Sequence, residues 1–332
     1  MNRNYLITIL VLSALFIYTS CDKEEKEEST ISPYIEGLMI DNYPIIDGST
    51  STLPLNTIIA CELMGLNYKW KEKEISHGSS NWSVEPQIVG SLRQKFDKVI
   101  KCSQTHNSII NLIDREADIV LSARTMSSDE QKYAESQGVI LIETPIALDA
   151  FIFIVNPQNS IEGLTTENIQ DIYTGKITEW EEFGVETYPG YSNINPFIRN
   201  PNSGSQELMD LLVMKGLEYY TQLPIYEERL VFTMQGLLDA IGSDPNAIGY
   251  TVYYYNEYII RPNEKFLKTI AIDGVKPNKQ TITNRTYPYT AEVYAVIRSD
   301  TDKSSMTYKI YEWLQTEAGR QAISKSGYIL VN

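Results

Sequence analysis

The sequence predicts an α/β protein of two domains. Three observations carry this. Strand-like and helix-like segments alternate along the chain. Segments such as ADIVLSA read as buried strands rather than half-solvated ones. Nothing between residues 140 and 260 has the composition of a flexible linker. Two domains without a linker imply strands that run from one into the other. The expected division is residues 35–147 with 257–332 as the first domain and 148–256 as the second.

The elements follow in order. IIDGSTSTLPLNTIIACEL reads as strand, tight loop and helix, with Pro54 suited to the first helical position. Residues 66–96 are polar and read as an insertion or long loop. KVIKCS is a strand candidate, NSIINLIDREA has helical spacing, and VILIETPIALDAFIFIVNP reads as a pair of apolar strands. TTENIQDIYTG and SQELMDLLVMKGLEYY are helices. MQGLLDAIGSDPNAIGYTVYYY is helix, turn and strand. TAEVYAVIR is a strand, and SMTYKIYEWLQTEAGRQAISKSG is one helix or two.

The amino terminus reads as an address. Arg3 precedes an apolar run from Tyr5 to Tyr18 that is short for a membrane span and fits a signal peptide. Ser20-Cys21 resembles a bacterial lipobox, although Tyr18 and Ser20 depart from its usual residues. Residues 1–20 are thus expected to be a lipoprotein signal peptide, Cys21 the lipidated residue and 21–34 an acidic tether, with a plain signal peptide or a short membrane anchor as the alternative. Lys23, Glu24 and Glu25 also resemble an export signal to the cell surface. The protein is expected on a bacterial membrane, facing the periplasm or the outside. Cys61 and Cys102 are left either to pair or to stay buried thiols.

The 332 residues suffice for two cored domains. A net charge of −15 argues against nucleic acid, which demands a basic face. With 2 His and 3 Cys, no metal site or cofactor is expected. No G-x-S-x-G, Walker or G-x-G-x-x-G motif is present, so no catalytic residue is assigned and no enzyme is expected. His106 follows Thr105 near a candidate ligand loop. The run Tyr250, Tyr253, Tyr254, Tyr255 and Tyr258 reads as an aromatic strand packing on its sheet.

The informative signal is three loop-to-helix junctions rich in Ser, Thr and Gly: residues 47–54, 103–108 and 199–206. Each offers amide and hydroxyl donors at the positive end of a helix, which suits an oxyanion. Such residues also serve simply as caps, and Ser203 and Gln206 have capping-box spacing. Arg199, four residues before Ser203, shifts the third junction toward a dianion.

From about residue 43 onward the chain resembles the phosphate-binding proteins of bacterial phosphate ABC transporters. The motifs are DGSTSTLP, ADIVLSART, LTTENIQDIYTGKITEW, RNPNSGSQE, NAIGYTVYYY and EWLQTEAGRQAI. The resemblance implies a type II periplasmic-binding-protein fold, each domain a mixed or parallel sheet flanked by helices, with phosphate or a similar tetrahedral oxyanion in the cleft. It implies Thr52, the Leu53 amide and Thr105 as donors from the first domain. Arg199, Ser203, Gly204 and Ser205 complete the clamp from the second, with Ser51, Ser122 and Arg124 as further candidates. It also implies a monomer that delivers its ligand to an ABC permease. A surface sensor or adhesion lipoprotein on the same fold is the alternative. Two positions depart from the family. Ala123 stands where an Asp accepts the proton of monohydrogen phosphate, and Pro201 replaces an acid two residues after the Arg.

Overall fold

The computed structural model describes residues 31–74, 80–185, 192–220, 230–231, 234–261 and 267–331. The signal segment, Cys21, His77 and most of the tether lie outside these. Among the described residues, no helix is long and apolar enough to cross a membrane.

The chain begins with β1 (Ile46–Gly48) and α1 (Leu53–Met64). Nearly every residue of α1 is buried, so its apolar run is an interior helix rather than an amphipathic one. Pro54 sits in its first turn, and Gly65 ends it in the left-handed conformation (φ 64°). The stretch expected as a long loop is mostly an antiparallel hairpin, β2 (Tyr68–Glu74) and β3 (Ser80–Pro86), followed by α2 (Gly90–Val99). KVIKCS is not a strand: its first residues end α2, and Ile100 makes a single bridge to Ile46. Next come α3 (Thr105–Ile113), β4 (Ile119–Ser122) and α4 (Ser128–Ser136).

β5 (Leu141–Val155) is one strand of 15 residues, not a pair. Its first ten residues pair with β13 (Thr290–Arg298). Its last five pair with β10 (Ala247–Val252). The strand passes from one lobe's sheet to the other's between Ala150 and Phe151. Pro145, which has no N–H to give, is accommodated by a register shift that leaves Ile146 without a partner. From Ile146 to Val155 every residue is buried, which explains a run that is apolar except for Asp149.

Beyond the crossing lie β6 (Gly163–Leu164), α5 (Thr166–Tyr173), β7 (Asn195–Pro196), β8 (Ile198–Arg199), α6 (Gly204–Leu208), β9 (Leu230–Val231) and α7 (Met234–Ser243) before β10. α6 runs on as a π-helix over Met209–Met214. The tyrosine run does not stay a strand: β10 ends at Val252, and Tyr255–Ile260 forms a second π-helix. Within it Tyr254 stacks on Tyr328 at 3.7 Å between ring centroids. The chain returns through β11 (Lys268–Thr269), β12 (Ala271–Ile272), α8 (Lys279–Thr283), β13, α9 (Met306–Trp313), α10 (Glu317–Ser326) and β14 (Ile329–Leu330).

The main sheet has the order β1-β4-β13-β5-β10-β7, with β11 and β14 also on β5. β1 and β4 are parallel, whereas β13 is antiparallel to both of its neighbours. One core runs through both lobes, and Phe151, Phe153, Tyr173 and Tyr250 meet at its centre.

Candidate functional site

Parallel β1 and β4 end side by side, and the loops after them face the second lobe. That is where an α/β sheet leaves room for a ligand. Asp47 organises the first loop. Its carboxylate accepts from the amides of Gly48 (2.8 Å) and Ser103 (2.9 Å) and from the Asn111 side chain (2.8 Å). This holds the residues that lead into α3 against β1. Gly48 is obligatory for space: a Cβ there would lie 2.5 Å from Thr52 Oγ1 and 2.7 Å from the Leu121 carbonyl.

From the second lobe come Arg199, at the end of β8, and Ser203, Gly204 and Ser205 at the start of α6. Their placement rests on one side chain. Gln206 Oε1 accepts from the Arg199 amide (3.0 Å) and from the Tyr250 hydroxyl, and its Nε2 donates to Asp210 and Tyr219. Gln206 is therefore not the partner of a capping box. Ser203 makes no side-chain cap, and its hydroxyl pairs with that of Ser205 at 2.9 Å.

The two lobes enclose a cavity of about 110 Å³. Ser49, Thr50, Ser51, Gln104, Thr105 and Ala123 line it from the first lobe. Arg199, Ser203, Gly204, Ser205, Leu208, Met234 and Val252 line it from the second. The lobes touch at its rim, since a Cβ on Gly204 would sit 2.4 Å from Thr105 Oγ1. Arg199 is 6% exposed. Its Nη1 donates to the Met234 thioether at 3.3 Å. Burial pulls its pKa below the usual guanidinium range, with Tyr250 and Tyr255 acting the other way.

The cavity thus brings together six of the residues singled out from sequence: Ser51, Thr105, Arg199, Ser203, Gly204 and Ser205. Four others lie elsewhere. The Thr52 hydroxyl donates to the Leu121 carbonyl (2.8 Å) and accepts from the Ser49 amide (2.9 Å). The Leu53 amide donates to the Ser49 carbonyl (3.0 Å). Ser122 Oγ donates to the Arg124 carbonyl (2.6 Å). Arg124 is clamped by Glu130 through two bonds of 2.8 Å, and His106 Nδ1 lies 3.1 Å from the same carboxylate. These groups build the loops that carry the cavity, rather than its wall.

Ser49, Thr50 and Gln104 lie in the junctions read from sequence but were given no role of their own, and Met234 was passed over. Gln104 carries a visible backbone signature only in the structure: its φ is 70°, in a region that costs a non-glycine residue about 1–3 kcal/mol. Ala123 does line the cavity, 7% exposed. Among the described residues no carboxylate lines it, and no cluster of metal-ligating side chains occurs. Cys61 and Cys102 are free thiols, the first buried and the second exposed.

A two-lobed α/β protein whose lobes close on hydroxyls, helix-terminal amides and a buried guanidinium is built as a receptor for a small anion. The chain belongs to the PBP superfamily, whose family model matches residues 93–316. It is 26% identical over 267 residues to the phosphate-binding protein PstS of Borreliella burgdorferi, covering 78% of this chain and 90% of that protein. With PstS of Staphylococcus epidermidis it shares 24% over 270 residues, covering 77% and 79%. The fold matches a putative phosphate ABC transporter substrate-binding protein with bound phosphate from Clostridium perfringens, with a TM-score of 0.61 and 21% identity. That match covers 87% of this chain and 99% of the other. It also matches an ABC-type phosphate transport receptor from Vibrio cholerae, with a TM-score of 0.59 and 20% identity over 86% and 99% of the two chains.

Proposed function

We propose that this protein binds a phosphate-type tetrahedral oxyanion between its lobes and delivers it to an ABC permease, without chemistry of its own. The observation that carries the reading is Arg199, buried at the wall of a small cavity with hydroxyls on both sides. A buried cation costs several kcal/mol of desolvation, which a dianion would offset. The names of the phosphate-binding relatives support the same ligand class. The net charge of −15 does not oppose it, because local dipoles and one guanidinium set the potential inside the cavity.

In this reading residues 35–147 with 257–332 form one lobe and 148–256 the other. The crossing of β5 near Ala150 supports the first boundary, whereas residues 268–272 pair with Ile154, Val155, Gly163 and Leu164 of the second lobe. The chain works as a monomer held by lipid on Cys21, facing the periplasm or the cell surface. Titration calorimetry with phosphate, sulfate, arsenate and molybdate tests the ligand: saturable binding of none of them would end the proposal. The anchor has its own test. A Cys21→Ser protein that loses its signal segment yet stays wholly with membranes would remove the lipid from the account.

A further inference from the structure

A second chamber, of about 520 Å³, adjoins the oxyanion cavity, and Thr50 lines both. Its walls are α1, the β2–β3 hairpin, α2 and the π-helix after β10. Its volume lies in the range that holds a small organic molecule. Inorganic oxyanions need only the smaller cavity. The chamber wall is amphipathic. Trp82 and Phe96 supply aromatic surface, and Trp82 is held from outside the lining by the Arg261 guanidinium, 4.1 Å from its ring centroid. Asn81 and Ser83 add an amide and a hydroxyl. Arg93 and Asp97 of α2 also line it and supply charged hydrogen-bonding groups. A hydroxylated ring suits such a wall, with its C–H face on the aromatic surface and its hydroxyls on the polar groups.

An independent observation comes from the smaller cavity. Its described lining holds no carboxylate, and Ala123 occupies part of the wall. Monohydrogen phosphate brings a proton that here only wall hydroxyls could accept, weaker partners than a carboxylate. A phosphate monoester has carbon in place of that proton. With a second pKa of about 6, it is largely a proton-free dianion at neutral pH. It needs no acceptor, but it does need space for its organic group. The missing carboxylate and the adjoining chamber therefore point to one ligand class.

We propose that the cleft takes a phosphate monoester of a small polyhydroxylated ring. Its phosphoryl group sits by Arg199 and Ser203–Ser205, its ester oxygen passes Thr50, and its ring occupies the hairpin chamber. This deepens the oxyanion reading above and rests on it. The test is calorimetry of the full chain with inorganic phosphate, glucose 6-phosphate and glucose. Glucose 6-phosphate should bind at least about tenfold tighter than phosphate, and glucose alone should not bind. Trp82→Ala should bring that ratio toward one. Asp97→Trp, at an exposed helix position that lines the chamber, should do the same by filling it. If phosphate binds and glucose 6-phosphate binds equally or more weakly, the ester proposal fails while the oxyanion reading stands. If neither binds, both fail. A tight ester whose advantage survives both substitutions would also overturn the proposal, because the chamber would not be where its ring lies.

Discussion

Arg199 and Ala123 set opposite limits on what the cavity can hold. Removing the only guanidinium of the described wall should cost more than one ordinary hydrogen bond, since charge-assisted bonds are worth about 1.5–3 kcal/mol each. Arg199→Ala is therefore expected to abolish oxyanion binding in a calorimeter. Arg199→Lys should restore little, because a point charge cannot reproduce the planar fork. Ala123→Asp should have a selective effect. A carboxylate there accepts a proton from monohydrogen phosphate and repels anions that have none. Sulfate affinity is then expected to fall more than phosphate affinity. Equal losses for both would place residue 123 outside the ligand's reach. At this scale the third junction was legible because Arg199 accompanies its Ser and Gly, which alone would read as caps. The division of labour inside the first loop was not. Thr52 turns inward because Gly48 leaves room beside the Leu121 carbonyl, and that proximity spans 69 positions of sequence. Arg124 was attractive as a cation until Glu130, six residues on, proved to hold it.

The α3–α4 region shows what an element needs in order to hold a loop still. Glu130 sits in the first turn of α4, fully buried. It accepts from Arg124 twice, from the Ser127 amide (2.8 Å) and beside His106. Losing it leaves the Arg124 charge buried without its partner. Glu130→Ala should therefore destabilise the fold by about 3–5 kcal/mol, read from urea unfolding. A change under about 1 kcal/mol would mean that water replaces the carboxylate. Other elements were harder to read. The hairpin alternates Trp70 and Trp82 with Lys, Glu and Ser, a weak period-2 signal inside a segment whose charge suggested a loop. The tyrosine run after Val252 has β propensity, yet stacking of Tyr254 on Tyr328 and Tyr258 wins and the backbone coils. β5 was legible as apolar strand but not as a single one, because Pro145 suggested a break that a bulge absorbs.

Across the whole molecule, Asp149 joins the two crossings. It lies on β5, 1% exposed, and its Oδ1 accepts from the Ala150 amide (2.8 Å) and from the Tyr254 amide (2.9 Å) where the chain returns. Its Oδ2 has no hydrogen-bond partner among the described residues. Burial pushes its pKa from 3.8 up to about 7, while the two amides pull it down. The folded chain thus holds a proton that the unfolded chain releases. Its contribution to stability falls as pH rises from about 4 to about 7 and stays low above that. Asp149→Asn keeps an acceptor for both amides and removes the charge. Thermal melts should show the variant gaining on the wild type between pH 5 and pH 8; parallel curves would mean that Asp149 does not titrate there. If the lobes rotate about these crossings, a saturating ligand should reduce the radius of gyration in small-angle scattering. An unchanged radius would count against hinge closure.

β13 occupies the gap between β4 and β5, yet it is made long after both: Tyr294 pairs with Ser122, 172 positions earlier. Until residues 290–298 emerge, the amino-terminal lobe has two strands with nothing between them, and its apolar face stays open. The second lobe's strands wait only for β11 and β12, which pair with Val155 and Leu164. The order of synthesis is therefore the reverse of the order of completion, and the half of the protein that starts first closes last. In the exported reading proposed above that delay is useful: the amino-terminal half cannot lock into its native sheet while the ribosome still holds the piece that would complete it.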